Sequence, residues 1–388
     1  MIRKALVWIG GTALLLAAGF VLLAPDFTER GLNRVAGSVP AVSPRAEALH
    51  RTLFVADLHS DTLMWRRDPL GASKRGHVDV PRLEAGNVAL QVFSSVTKTP
   101  KGQNYDANSG ETDNITLLAV AQLQPPRTWT SLLERSLWHA AKAEKAARAD
   151  NDLTIVRTAA DLDALAARRR IKGASQIGLL LSIEGLHNLE GKRANLDRLH
   201  AAGFRMAGLA HFFDNALSGS MHGMKKGGLT PLGRQIVRDM EARGMVVDIA
   251  HASHTAVADI LAMATRPVVS SHGGVQATCK VNRNLTDAEI RGVARTGGVI
   301  GIGYWDGAVC DTSPASVARA IKHVRDLVGI DHVGLGSDYD GATTVRFDTS
   351  RVALVTQALI DAGFTDGEIA KVMGGNVVRV LKATLPPR

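Results

Sequence analysis

Aromatic side chains are scarce: 9 Phe, 5 Trp and 3 Tyr in 388 residues, 4% of the chain. Basic residues are dispersed, with short clusters such as Arg168-Arg169-Arg170 and Lys225-Lys226. A nucleic-acid protein would more often show a cationic stripe interleaved with rings, so no nucleic-acid partner is expected. The net charge of +9 then fits solubility, or attraction to an anionic membrane surface beside an anchor. Cysteine is also nearly absent. Cys279 and Cys310 lack the close spacing of a thiolate metal site. In a reducing compartment they would be free thiols; outside the cytoplasm they could pair. No internal repeat or low-complexity tract is visible.

Glycine, by contrast, is abundant (38 residues), as suits an α/β fold with many tight turns. The chain is long enough for one large domain. Arg3 and Lys4 precede an uncharged, apolar run over residues 5–24. About 20 such residues can span a bilayer as a helix. The run reads as a retained anchor, a cleaved signal peptide or a buried core helix, in that order of preference. Pro25 directly after Leu-Leu-Ala makes a poor cleavage site, and the run is long for a signal core. The expected organisation is an anchor or signal over 1–26, a linker over 27–49 and one catalytic domain over 50–388. With the basic end in the cytoplasm, that domain would lie outside it, membrane-anchored, or secreted if the segment is cleaved.

Within 50–388 short apolar runs alternate with helical patterns. Strands are expected near residues 53–58, 87–96, 177–183, 204–210, 245–250, 267–271, 298–303 and 332–337. Helices are expected over 193–202, 230–243, 254–264, 287–296, 313–328, 350–362 and 365–381. Strands alternating with helices imply parallel βαβ units, and eight of them fit a (β/α)8 TIM-type barrel. A long excursion, residues 97–175, separates the second and third strands; such an insertion is expected to cover or shape a site.

The ends of these strands carry the chemistry. The first ends in His59 and Asp61, two apart and so able to converge. Glu184 ends the third, His211 the fourth, His251 the fifth, His272 the sixth and Asp338 the eighth. One such histidine is ordinary. This many metal-binding and proton-carrying groups at strand C-termini point to a metal centre, because buried polar groups are unfavourable unless paired.

The motifs Asp57-Leu58-His59-Ser60-Asp61, Ser182-Ile183-Glu184-Gly185, Leu209-Ala210-His211, Val247-Asp248-Ile249-Ala250-His251, Ser270-Ser271-His272, Asn282-Arg283-Asn284 and Gly334-Leu335-Gly336-Ser337-Asp338-Tyr339-Asp340-Gly341 stand in this order. Together they resemble the membrane (renal) dipeptidase family, zinc dipeptidases of the amidohydrolase superfamily. The resemblance covers about residues 50–385. It implies two Zn²⁺ ions, one held by His59, Asp61 and Glu184, the other by Glu184, His251 and His272. Glu184 and a hydroxide would bridge them, and the hydroxide would attack the peptide carbonyl of a dipeptide. His211 would donate to the developing oxyanion. Asp338 would carry the proton to the leaving amine, with Asp340 the rival for that role. Arg283 would receive the free C-terminal carboxylate. Tyr304, after the seventh strand, is a candidate pocket residue. Asp248, His187, His222 and His254 read as supporting or surface groups. The resemblance also implies a Cys279–Cys310 disulfide and a homodimer.

Two rival functions remain. One is a related binuclear amidohydrolase, an N-acyl amino acid deacylase or a β-lactam hydrolase. The other is a catalytically silent anchored binding protein, which would have no physical reason to keep such a set of ligands together with Asp338.

Overall fold

The computed structural model describes residues 2–171 and 175–388, with side chains at Trp8 and from Phe20 onward. Eight strands form a closed parallel ring: β1 (Val55–Ser60), β2 (Val88–Val96), β3 (Ile177–Glu184), β4 (Phe204–Gly208), β5 (Val246–Asp248), β6 (Val269–Ser270), β7 (Val299–Ile302) and β8 (Val333–Leu335). Each pairs in parallel with the next, and β8 returns to β1 through Leu335 and Asp57. This is the TIM-type (β/α)8 architecture. One cluster of buried residues draws Leu58, Leu90, Leu180, Met206, Val246, Val269 and Val299 from seven strands and joins them to Val377 and Val380 of the last helix.

The helices start where hydroxyl side chains cap free backbone N–H groups. Thr230, Ser253, Thr286, Ser313 and Thr365 each accept a hydrogen bond from a backbone N–H three residues on. Thr286 with Glu289, and Thr365 with Glu368, form reciprocal capping boxes. The expected helix over 365–381 is divided: Asp366–Ala370 and Asn376–Thr384 flank a wide turn at Lys371–Gly375.

The excursion after β2 builds helices Asn114–Ala121, Arg127–Thr130, Leu132–Ala149 and Ala159–Arg169, and a short strand, Leu153–Ile155, that adds to β3. Buried Arg135 holds it to the barrel. Its guanidinium donates to the carbonyl oxygens of Thr97 and Thr128 and to Asp113 Oδ2, each at 2.6 Å.

The N-terminal helix runs Ile2–Leu32, through Pro25 and six residues into the stretch expected as a linker. Proline removes the N–H that would bond the carbonyl of residue 21. Arg66 replaces it, donating to Val21 O at 2.9 Å and to Leu22 O at 3.0 Å. The rest of that stretch is also built onto the barrel: Arg34–Val35 pairs with Thr344–Val345, and helix Pro44–His50 packs against helix Ala353–Asp361. Among the described residues no helix is long and apolar enough to cross a membrane. The expected span over 5–24 falls largely on side chains outside the described residues.

His139, on helix Leu132–Ala149, gives the fold a pH signature. It is buried and bonded to Ser95 Oγ of β2 at 2.8 Å. Burial, then the charges of Lys142 and Arg135, push its pKa from 6.5 down to about 3. Between these values the unfolded chain binds a proton that the folded chain refuses. Stability therefore falls as pH drops from 6.5 towards 3 and is insensitive to this group above 6.5. Urea unfolding midpoints should decline below that pH, and less steeply in His139→Gln.

Candidate metal centre and active site

Every expected ligand reaches one point above the C-terminal ends of the strands. Glu184, the last residue of β3, stands at its middle and is buried. Its Oε1 lies 2.7 Å from His251 Nε2 and 3.0 Å from His272 Nε2. Its Oε2 faces His211 Nε2 at 3.5 Å and His59 Nε2 at 3.7 Å. His59 Nε2 lies 3.4 Å from Asp61 Oδ1 and 4.0 Å from Asp338 Oδ1. Asp61 is brought round by the short turn that follows β1. His251 and Asp338 take left-handed backbone conformations, φ 63° and 59°. Such φ values are uncommon for non-glycine residues and cluster at functional sites, where the surrounding structure holds them.

His272 is oriented from behind. Its Nδ1–H donates to Ser271 Oγ at 2.8 Å, and Ser271 Oγ–H donates to Asp248 Oδ2 at 2.5 Å. Asp248 Oδ1 is held by the N–H groups of Ala250 and Ser271. The proton is thus on Nδ1, and Nε2 is left with its lone pair towards Glu184. Asp248, placed by sequence only among supporting groups, is bonded to this serine. Ser271→Ala should weaken metal binding by about 10–100-fold, read by competition with a chelator, with the fold retained.

Asp340 is engaged elsewhere. Its buried carboxylate pairs with the Arg67 guanidinium and accepts from Thr62 Oγ1 at 2.8 Å and His77 N–H at 2.6 Å. Despite burial, Arg67 and His77 hold its pKa below the usual range. Arg67 in turn pairs with Glu29 at 2.5 Å. Among the described residues no hydrogen bond of this kind ties up the carboxylate of Asp338, which lines the cavity.

Residues 43–385 match the family described as membrane dipeptidase, peptidase family M19. The chain belongs to that family. Dipeptidase tcpJ of Claviceps purpurea is 31% identical over 317 residues, 79% of this chain and 69% of that protein. Dipeptidase aclJ of Aspergillus oryzae is 35% identical over 216 residues, 53% of this chain and 51% of that protein. Among solved structures, the probable dipeptidase PvdM from Pseudomonas aeruginosa shares the fold with a TM-score of 0.73 at 20% identity, over 88% of this chain and 99% of that one. A metallo peptidase from Rhodobacter sphaeroides, liganded with a phosphinate mimic of the dipeptide L-Ala-D-Ala, shares it with a TM-score of 0.69 at 23% identity, over 86% and 99%.

An M19 metallo-dipeptidase implies metal ions, and the residues of this member fit them. Three overlapping trios, His59/Glu184/His272, Glu184/His211/His251 and His59/Asp61/Asp338, each bring their donor atoms within 4.8 Å of one another. Among the described residues His59 Nε2 and Asp61 Oδ1, 3.4 Å apart, are buried without a well-formed hydrogen bond. Without cations the charges are frustrated. Burial, then the charge of Asp61, pushes Glu184 well above the carboxylate range and Asp338 up to about 8, against the pull of His59. Burial pushes His211, His251 and His272 well below 6.5. His59 resists its burial, because Glu184 and Asp61 raise it to about 10. Divalent cations would reverse the shifts of Glu184, Asp338 and His59 and keep the other imidazoles neutral, favouring ionised carboxylates and neutral imidazoles together.

The dipeptidase cavity holds about 610 Å³. Glu184, His211, His251, Asp338 and Arg283 all line it. Arg283 is buried, with its Nη2–H on His272 O at 2.8 Å and its guanidinium over the Trp305 ring. The sulfur atoms of Cys279 and Cys310 lie at bonding distance, Cα atoms 5.4 Å apart, tying the loop that carries Arg283 to the segment after β7. Tyr304 requires a correction. It is fully buried against Tyr339 and Phe347 and does not line the cavity; its neighbour Trp305 does. Successive side chains of an extended segment point to opposite sides, so one residue decides which ring faces the cavity. Trp305 Nε1–H donates to Tyr105 Oη, a lining residue from the excursion. Sequence reasoning missed both. Only the expectation that the excursion shapes the site pointed towards Tyr105.

Proposed function

We propose that this chain is a binuclear zinc dipeptidase that hydrolyses dipeptides with a free C-terminal carboxylate. The carrying observation is Glu184, one buried carboxylate facing His251 and His272 through one oxygen and His59 through the other. His59, Asp61 and Glu184 would hold one ion, and Glu184, His251 and His272 the second; imidazole and carboxylate donors suit zinc. Bound there, the pair would supply a Lewis acid for the scissile carbonyl and lower the pKa of a water they share. Around them the chain's own groups have distinct tasks. Arg283 receives the substrate carboxylate through two parallel N–H···O bonds and so sets the scissile bond over the centre. His211, neutral through burial, donates Nε2–H to the carbonyl oxygen as it gains charge. Asp338 accepts the proton released by the water and gives it to the departing amine as the C–N bond breaks. The dipeptide mimic bound by the Rhodobacter protein supports this substrate class.

The apolar run over 5–24 behind Arg3 and Lys4 supports attachment to a membrane with the barrel outside the cytoplasm. Membrane fractionation and protease accessibility test that placement; a barrel protected from added protease in intact spheroplasts would reverse it. For the chemistry, elemental analysis of the full chain should find two zinc ions per molecule, and dipeptides should be hydrolysed in preference to N-acyl amino acids and β-lactams. Preference for either of those would make it a deacylase or lactamase on the same centre. Absence of hydrolysis after zinc is supplied to folded protein would leave a binding protein.

A further inference from the structure

The N-terminal helix does more than lead to the barrel. Thr28 and Leu32, one turn apart on its last two turns, line the same cavity as Glu184, His251 and Asp338. The helix end is clamped there. Glu29 is buried and accepts from Arg67 at 2.5 Å and from Arg75 at 3.2 Å. Asp26 pairs with Arg66 at 2.9 Å, and Asn33 Oδ1 accepts from Ala342 N–H at 2.8 Å. Arg66 and Arg67 follow the turn after β1, and Ala342 follows β8, so the clamps sit on the two loops that deliver Asp61 and Asp338. A buried, multiply bonded anchor of this kind fixes position, because breaking one leaves an uncompensated charge.

The side of the cavity this helix closes is apolar. Met64, Trp65 and Ile115 form one buried apolar cluster with Leu118 packed on it, and all four line the cavity, as Leu32 does. Ile115 and Leu118 belong to helix Asn114–Ala121, which packs on the N-terminal helix and follows β2. Arg283 follows β6. In a ring of eight strands β2 and β6 are four apart, on opposite sides of the mouth. A dipeptide whose carboxylate reaches Arg283 and whose scissile bond lies over Glu184 would direct its amino-terminal residue towards helix Asn114–Ala121 and the N-terminal helix packed on it, whose Thr28 and Leu32 line the cavity.

We propose that the last two turns of the N-terminal helix, through Thr28 and Leu32, form the pocket for the side chain of the substrate's amino-terminal residue and select for apolar side chains there. This rests on the dipeptidase reading and on the role of Arg283. The helix that joins the apolar run over 5–24 to the barrel would thus be a specificity element of the active site.

The test uses the full-length, zinc-loaded chain and two substrate series, X-Ala and Ala-X, with X as Gly, Ala, Leu and Phe. Leu32→Trp should lower kcat/KM for Leu-Ala and Phe-Ala relative to Gly-Ala by about 10-fold or more, mainly through KM, as one side chain filling an apolar pocket does. Leu32→Ala should flatten the preference across X-Ala. The Ala-X ranking should be unchanged in both. Phe27→Ala, at a position 80% exposed on the other side of the helix, should match wild type in both series. Leu32 is half exposed and its variants should keep the wild-type melting temperature and zinc content. Unchanged X-Ala ratios, or a shift confined to Ala-X, in an active enzyme would overturn the specificity role alone. A wild-type chain that cleaves no dipeptide would sink the dipeptidase reading and the pocket with it.

Discussion

Glu184→Ala is expected to remove metal and activity together. Both carboxylate oxygens of Glu184 are committed: Oε1 within 3.0 Å of His251 and His272, Oε2 towards His59 and His211. Truncation to alanine leaves four imidazoles with no anion between them, and neutral imidazoles alone offset the charge of two close cations poorly. Removing a group that merely supports a ligand weakens metal binding by about 10–100-fold, so loss of the ligand that the proposed centre shares between its ions should exceed that. Zinc content should fall below one ion per chain by elemental analysis, and kcat/KM by at least about 10³-fold. The fold should survive, because the uncompensated cost of the converging polar groups falls when a buried carboxylate leaves. A variant that keeps two ions and wild-type turnover would exclude Glu184 as the bridge.

Asp338→Asn and Asp340→Asn should separate proton transfer from structure, although the two residues stand in one turn. Asp338 opens to the cavity near His59. Its amide replacement keeps the shape but cannot carry a proton, and kcat should fall by about 10²–10⁴-fold with KM and zinc content little changed. Asp340 lies under the turn and pairs with Arg67, which also holds Glu29. Its amide replacement leaves Arg67 with one buried carboxylate where it had two. Breaking a buried pair costs about 3–5 kcal/mol, so the loss should appear as a lower unfolding midpoint. The kcat of folded Asp340→Asn should fall far less than that of Asp338→Asn. The reverse ordering of kcat would make Asp340 the proton carrier.

Much of the site is legible in the amino-acid sequence, and the reason is geometric. In a parallel barrel each strand delivers its last residue to the same face, so reading where apolar runs stop also reads which side chains meet. Glu184 is the last residue of its strand, His59, His211, His251, His272 and Asp338 lie within three residues of a strand end, and they do meet. The strands themselves follow from apolar runs.

What local pattern could not determine depends on which loops are neighbours around the ring. Asp338 and Asp340 have the same chemistry and nearly the same place in sequence; Arg67, some 270 residues away in the chain, is what engages one and leaves the other open. Tyr304 and Trp305 are adjacent, and packing against Tyr339 and Phe347 decides which faces the cavity. Residues 27–32 read as linker because polar and apolar residues mix there. They are helical because Arg66 completes the backbone bonds that Pro25 interrupts and Glu29 finds Arg67 and Arg75. The sequence by itself determined the barrel and the set of candidate ligands, through periodicity and strand ends. Only the tertiary structure decided which groups are engaged, which are free and what closes the cavity, because buried charges and side chains are settled by partners distant in the chain.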